Sequence, residues 1–314
     1  IGICRERVFM ATHRFIPKQF HNTIGSHAPV LSVGDGDTVV TETLDAHGFD
    51  RHGRKSADGP NPMTGPFHVA GAEPGDALRV RIERITMIRA TGWTFQVLSP
   101  NVVNPNAVGR FPARVVTDWI IDIAAGRARL AKPPAALRNW SVAVEPMIGC
   151  FGVAPATGQA ITTATSGPYG GNMDYRGFAA GIDVLFPVSA PGGLFFLGDV
   201  HAAQGDGEIV GTGIETAAEI AFTVAVVKKK PIGWPRGSNE SEIFTVGNAR
   251  PLDQALQHAT TEMLDWLIQD YGLDEVAASH LMGQAVRYDI ANVFNPAYSV
   301  VCRIGREWLT DPMP

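Results

Sequence analysis

The sequence predicts a mainly β protein of the α+β class: a layered β-sandwich-type core, with flanking helices concentrated in the C-terminal part. That prediction rests on composition and on periodicity. The 314 residues include 34 glycines and 22 prolines, spread along the whole chain. Such usage favours many short strands joined by tight turns. Hydrophobic periodicity is two-residue through most of the chain and turns helical only near its end.

The elements follow in order. In Ser32–Leu44 a Gly-Asp turn precedes the β-branched run Thr38–Thr43. Ala72–Ile85 repeats the pattern: Leu78, Val80 and Ile82 alternate with Arg79, Arg81 and Glu83, a half-buried strand. Between them His47–Thr64 is polar and rich in Gly, Pro and Asp, a loop long enough to be functional or mobile. A composition shift at Pro133–Asn139 suggests an N-terminal β-rich subdomain, 1–135, and a second, 136–314, packed together as one unit. Strands return at Val142–Val144, Phe178–Pro187, Leu194–Leu197, Glu208–Gly213 and Glu219–Val227, the last apolar on both faces as a central strand is. Leu252, Leu256, Ala259, Met263 and Leu267 then recur at helical steps after Pro251 and before Gly272. A shorter helix is expected at Glu275–Val286, and Tyr298–Ile304 alternates as a closing strand.

Composition narrows the function. Apolar residues make up 45% and charged ones 18%, a globular balance, and a net charge of −5 argues against a nucleic-acid partner. The basic run Lys228–Lys230, cut by Pro231, reads as a solvated strand end. No apolar run reaches the length of a membrane helix, the longest being Ile220–Val227, so no membrane partner is expected. Cys4, Cys150 and Cys302 are too scattered for a disulfide framework. With no signal-like stretch in Ile1–Met10, a cytoplasmic location is expected.

Serine-hydrolase elbows, zincin helices and phosphate-binding loops are absent. Carboxylates and histidines at strand spacing remain. Asp199 and His201 follow the apolar run Leu194–Leu197, and residues two apart on a strand share a face. Asp206 and Glu208 lie in the turn beyond. Such a mixed N/O set suits Zn²⁺ or a similar divalent ion, with a free glutamate to accept a proton. Asp45 and His47 repeat the spacing at another strand end, and convergence of the two pairs would give a four-ligand pocket. In Thr165–Asp174 the glycines suggest either an oxyanion-binding nest, with Asn172 as donor and Asp174 as acceptor, or a tight strand connection. Cys150 lies among apolar neighbours, with Glu145 as the nearest candidate base.

Glu42–Asp45, Asn61–Pro66 leading into Ala70–Asp76, Thr165–Asp174 and Gly198–Glu208 together resemble the acetamidase/formamidase family, block by block and in order, over roughly Val33 to Ile304. The resemblance implies hydrolysis of short aliphatic amides of the formamide and acetamide type to carboxylate and ammonia. It also implies a layered β fold, a divalent metal (zinc, sometimes calcium) and a homodimer. Asp45, Asn172, Asp174, Asp199, His201, Asp206 and Glu208 match its motifs. The expected site is then a metal held by Asp45, His47, Asp199 and His201, with Glu208, Asp174 and Asn172 catalytic. Two alternatives stand beside it: a thiol amidase using Cys150 and Glu145, and a non-enzymatic sandwich that binds a metal or small ligand.

Overall fold

Alternating apolar residues bury one sheet face against another, and the chain builds two large sheets on that rule. The structure, a computed structural model, describes residues 10–156 and 158–309. Cys4 and most of Ile1–Met10 lie outside the described residues.

Among the described residues the first sheet has nine strands, with Ala218–Val227 near one end, paired to Thr38–Glu42 on one side and Ala77–Met87 on the other. Beyond Ala77–Met87 it continues through Asp183–Pro187, Arg236–Ser238, Glu242–Ala249 and Tyr298–Gly305 to Arg287–Asn292. The second sheet has eleven strands. At its centre Phe195–His201 pairs with Met147–Val153 on one side, and with Glu215–Thr216 and Thr64–Val69 on the other. Each sheet mixes strands from before and after residue 135, so the two sheets do not divide at that position.

The two sheets meet through phenylalanines. Phe222 of the first packs against Phe67 and Phe195 of the second, with ring centroids at 5.3 and 5.1 Å. Phe151, Phe178 and Phe244 continue the layer. Ala218–Val227 is buried at Ala218, Ile220, Ala221, Phe222 and Val224 and half-buried at its other positions.

Helix α1 (Leu252–Tyr271) ends at Gly272, whose φ of 66° suits the left-handed cap. Helix α2 (Glu275–Ala285) is capped by Asp274, whose side chain accepts the Ala277 amide. Ala259, Met263, Trp266 and Leu267 of α1 cover Ile243, Cys302 and Ile304 on the first sheet. Arg236, buried on its strand, is tied to Glu262 of α1 by an ion pair at 2.5 Å.

One expected strand is corrected. Glu208–Gly213 forms no strand: Asp206–Glu208 is a 3₁₀ turn in which Gly207 and Glu208 both have positive φ. The lysine run follows the end of the strand Ala218–Val227 with Lys228 and Lys229 exposed, as expected, and Lys228 pairs with Asp76 and Lys230 with Asp270.

Candidate active site

Among the described residues, four of the six non-glycine positions with positive φ are Asn61, Asp174, Asp199 and Glu208, at φ values of 42°, 45°, 55° and 48°. Holding an L-residue there is unfavourable by roughly 1–3 kcal/mol, and such strain concentrates at functional sites. All four belong to one buried polar cluster beside the second sheet, with Asp199 on one of its strands.

The strand Phe195–His201 carries Asp199 and His201, both buried. Met147–Val153 beside it passes Gly149 beneath them, where a Cβ would lie 2.5 Å from Asp174 Oδ1 and 3.0 Å from Asp199 Oδ2. Gly213 leaves similar room for the His201 ring. Glycine is required at both places by close approach.

His201 organises the cluster. Its Nε2 lies 3.1 Å from Glu215 Oε1, 3.6 Å from Asp199 Oδ1 and 4.0 Å from Asp174 Oδ1. Its Nδ1 lies 2.8 Å from Gln204 Oε1. Gln204 Nε2 donates to the carbonyls of Asp174 and Ala291, so its Oε1 has to accept and His201 Nδ1 has to donate. Nε2 is thereby the nitrogen that faces the carboxylates, the arrangement a metal-binding histidine needs.

The carboxylates are held by amides. Asn61 Nδ2 donates to Asp199 Oδ2 and to Asn172 Oδ1, each at 3.0 Å. Asn295 Nδ2 donates to Asp174 Oδ2 at 2.6 Å. Among the described residues, Asp174 Oδ1, Asp199 Oδ1, Glu208 Oε2 and Glu215 Oε2 are buried without a partner. Four orphaned carboxylate oxygens are unfavourable on their own, by roughly 1–3 kcal/mol each or more when charged.

The electrostatics agree. Burial first, and the charge of Asp199 second, raises Asp174 from 3.8 to about 7. Burial, then Asp174, pushes Glu208 well up, and burial likewise raises Glu215. Burial opposes a charge on His201, but the adjoining Glu215 and Asp199 overcome it and lift the imidazole well above its usual range. A divalent cation could take ligands from this cluster. Asp174, Asp199 and His201 place ligand atoms within 4.8 Å of one another, as do His201, Glu208 and Glu215. One imidazole nitrogen with carboxylate oxygens fits zinc or a harder divalent ion.

The other expected residues are elsewhere. Asp45 is buried against Arg89 at 2.6 Å and accepts from the Trp93 indole and the amides of His47 and Phe49. Its oxygens are spoken for, and its two-residue spacing to His47 serves a turn. His47 stacks on Trp93 at 3.8 Å and lines the cavity wall. The Thr165–Asp174 glycines form no amide nest. Asn172 N donates to Thr165 O, and Gly170 and Gly171 are glycine because a Cβ would meet Phe151 O at 2.6 Å or Thr165 O at 2.5 Å. Asp206 is half exposed or more and lies 3.7 Å from Arg176. Cys150 is fully buried, with burial holding its thiol well above the usual range, and does not line the cavity. Glu215, Asn61, Gln204 and Asn295 were not foreseen as functional side chains. Glu215 did leave a signal: a carboxylate within the largely apolar run from Ile214 to Val227.

A cavity of about 190 Å³ opens onto Asp199, Glu208, Glu215, Asn61, Asn172 and Asn295. A β scaffold with a carboxylate–imidazole cluster on a small cavity is what metal-assisted hydrolysis of a small molecule requires. Comparison with known proteins agrees. The acetamidase/formamidase family profile matches residues 7–159 and 130–257. An acetamidase structure from Yersinia enterocolitica superimposes with a TM-score of 0.84 at 30% identity, covering 96% of this chain and 94% of that one. One from Bacillus halodurans gives 0.81 at 26% identity, covering 94% and 98%. A formamidase of Methylophilus methylotrophus is 24% identical over 67% of this chain and 64% of its own length. The chain is an amidohydrolase. It belongs to the acetamidase/formamidase family.

Proposed function

We propose that this protein is a metal-dependent hydrolase that cleaves linear primary amides to carboxylate and ammonia. The observation that carries the reading is the cluster of buried carboxylates with unpartnered oxygens beside His201, of which Asp199, Glu208 and Glu215 line a cavity of small-molecule size. Asp199, His201, Glu215 and Asp174 would hold the ion; when bound, it supplies Lewis acidity that polarises an amide carbonyl and acidifies a water.

The chain's own residues do the rest. Asn61 fixes Asp199 and turns the Asn172 amide so that its Oδ1 is committed. The Asn172 Nδ2 is then the donor left for a carbonyl oxygen in the cavity. Asn295 steadies Asp174 from the opposite side. Glu208, which lines the cavity, takes as the carboxylate the proton released when water adds to the carbonyl carbon; burial beside other carboxylates raises its proton affinity and suits it to that step. It returns that proton to the nitrogen, the C–N bond breaks, and the amine leaves as ammonia. The acyl group keeps the new C–O bond and departs as the carboxylate.

The thiol alternative is disfavoured by Cys150 itself, which is buried away from the cavity and kept protonated. Ammonia release from primary amides, abolished by exhaustive chelation and restored by a divalent ion, tests the proposal. Activity that survives complete metal removal would overturn it.

A further inference from the structure

We propose that Asn61 and Asn295 read the substrate's nitrogen: their side-chain oxygens accept the N–H groups of an unsubstituted short-chain amide and set the site against carbonyl compounds that lack them. The inference rests on the amide-hydrolase reading and adds to it the residues that select an amide.

The orientation of each side chain follows from its partners. Asn61 Nδ2 faces the Thr163 carbonyl at 3.3 Å, and Asp199 Oδ2 and Asn172 Oδ1 at 3.0 Å each, all of them acceptors. Asn295 Nδ2 faces the Asn172 carbonyl at 3.0 Å and Asp174 Oδ2 at 2.6 Å, acceptors again. Turning either amide over would set oxygen against oxygen, so both Nδ2 positions are fixed. Among the described residues neither Oδ1 accepts a hydrogen bond, and neither is one of the enclosed orphan atoms. The two residues are only 7% and 4% exposed and both line the cavity, so the access their oxygens keep is to it.

Both asparagines converge on Asn172, one at its Oδ1 and the other at its backbone carbonyl. That wall therefore presents one free donor, Asn172 Nδ2, and two neutral acceptors. A primary amide presents one carbonyl oxygen and two N–H groups, the complementary set. An asparagine oxygen holds an N–H without competing for the proton that Glu208 returns to the nitrogen.

The magnitudes favour this kind of reading for a small substrate. One methylene is worth only about 10–200-fold in an apolar pocket, whereas a site built to hydrogen-bond an N–H rejects the analogue without it by up to about 10⁴–10⁵. The penalty comes from buried acceptors left unpaired. Formamide and acetamide have almost no methylenes to read, and their N–H groups are what distinguishes them.

The test sets acetamide against acetone, which carries a methyl group in place of the NH₂ at nearly the same size. With the metal-replete full chain, KM is measured for ammonia release from acetamide and Ki for acetone as its competitor. In the parent Ki is expected to exceed KM at least about tenfold. Asn61→Ala and Asn295→Ala, with fold and metal content checked, should each raise KM about tenfold while Ki stays within about threefold. Mere loosening of Asp199 or Asp174 would raise the two constants together. Constants that rise together, or do not rise, overturn the inference, as does acetone competing in the parent on equal terms with acetamide. Should a variant fail to fold or to hold metal, the parental comparison decides. A parent that hydrolyses acetamide without this gap loses only the present inference; one that releases no ammonia from any primary amide loses the hydrolase reading too.

Discussion

A histidine buried among carboxylates is useful only if its proton is on the right nitrogen, and Gln204 determines which. Two backbone carbonyls fix the Gln204 amide, the amide fixes His201 Nδ1–H, and Nε2 is left to face Glu215 and Asp199. On the proposed function the residues around it divide into those that would hold the ion and one that would move a proton. Glu208→Gln, isosteric but unable to take a proton, should lower kcat by about 10²–10⁴ while bound metal, read by elemental analysis, stays near the parental level. Asp45 is a structural residue on this account. Asp45→Ala leaves Arg89 buried without its carboxylate and should cost about 3–5 kcal/mol in urea unfolding, again with metal content unchanged. Loss of metal together with a parental unfolding midpoint would make Asp45 a ligand after all.

At the scale of elements, the site is where three strands of the second sheet come within touching distance. Met147–Val153 can run under Asp174 and Asp199 only because position 149 has no side chain. Gly149→Ala should displace the Asp174 carboxylate, destabilise the fold by about 1–3 kcal/mol and weaken metal binding in a chelator competition. An unchanged affinity would show that Asp174 stands outside the ion's reach. The sequence made much of this level readable. Leu78, Val80 and Ile82 alternate into Ala77–Met87, and the Leu252 periodicity becomes α1, which runs on to Tyr271 because only Gly272 stops it. Asp199 and His201 come together as their spacing suggested, in a strand longer than its apolar run. The same spacing misled at Asp45, because a turn capped by its own aspartate looks identical in one dimension. Glu215 was missed because its strand is two residues long and owes its place to pairing with His201. Asn61 and Asn295 sit in loops, and nothing in a loop's composition tells which carboxylate it will meet.

Over the whole molecule, two sheets packed through phenylalanines make a scaffold stiff enough to keep unpaired carboxylates buried. Ties at the sheet margins add to it. The ammonium of Lys228 first, and then the Lys229 amide, hold Asp76 down from 3.8 to about 2. A depressed carboxylate contributes its full stability above the unfolded value and loses it as pH falls through the folded one. Stability from this tie should therefore decline between about pH 4 and 2, and Asp76→Asn should show less of that decline, converging with the parent in acid. Among the described residues no helix is long and apolar enough to cross a membrane. The proposed function turns on a cation at His201, and elemental analysis of the purified chain beside His201→Ala, with folding checked by circular dichroism, reads it directly. The account predicts a stoichiometric divalent metal in the parent and its loss from the folded variant, along with ammonia release. A parent that hydrolyses amides at full rate with no metal bound would contradict it.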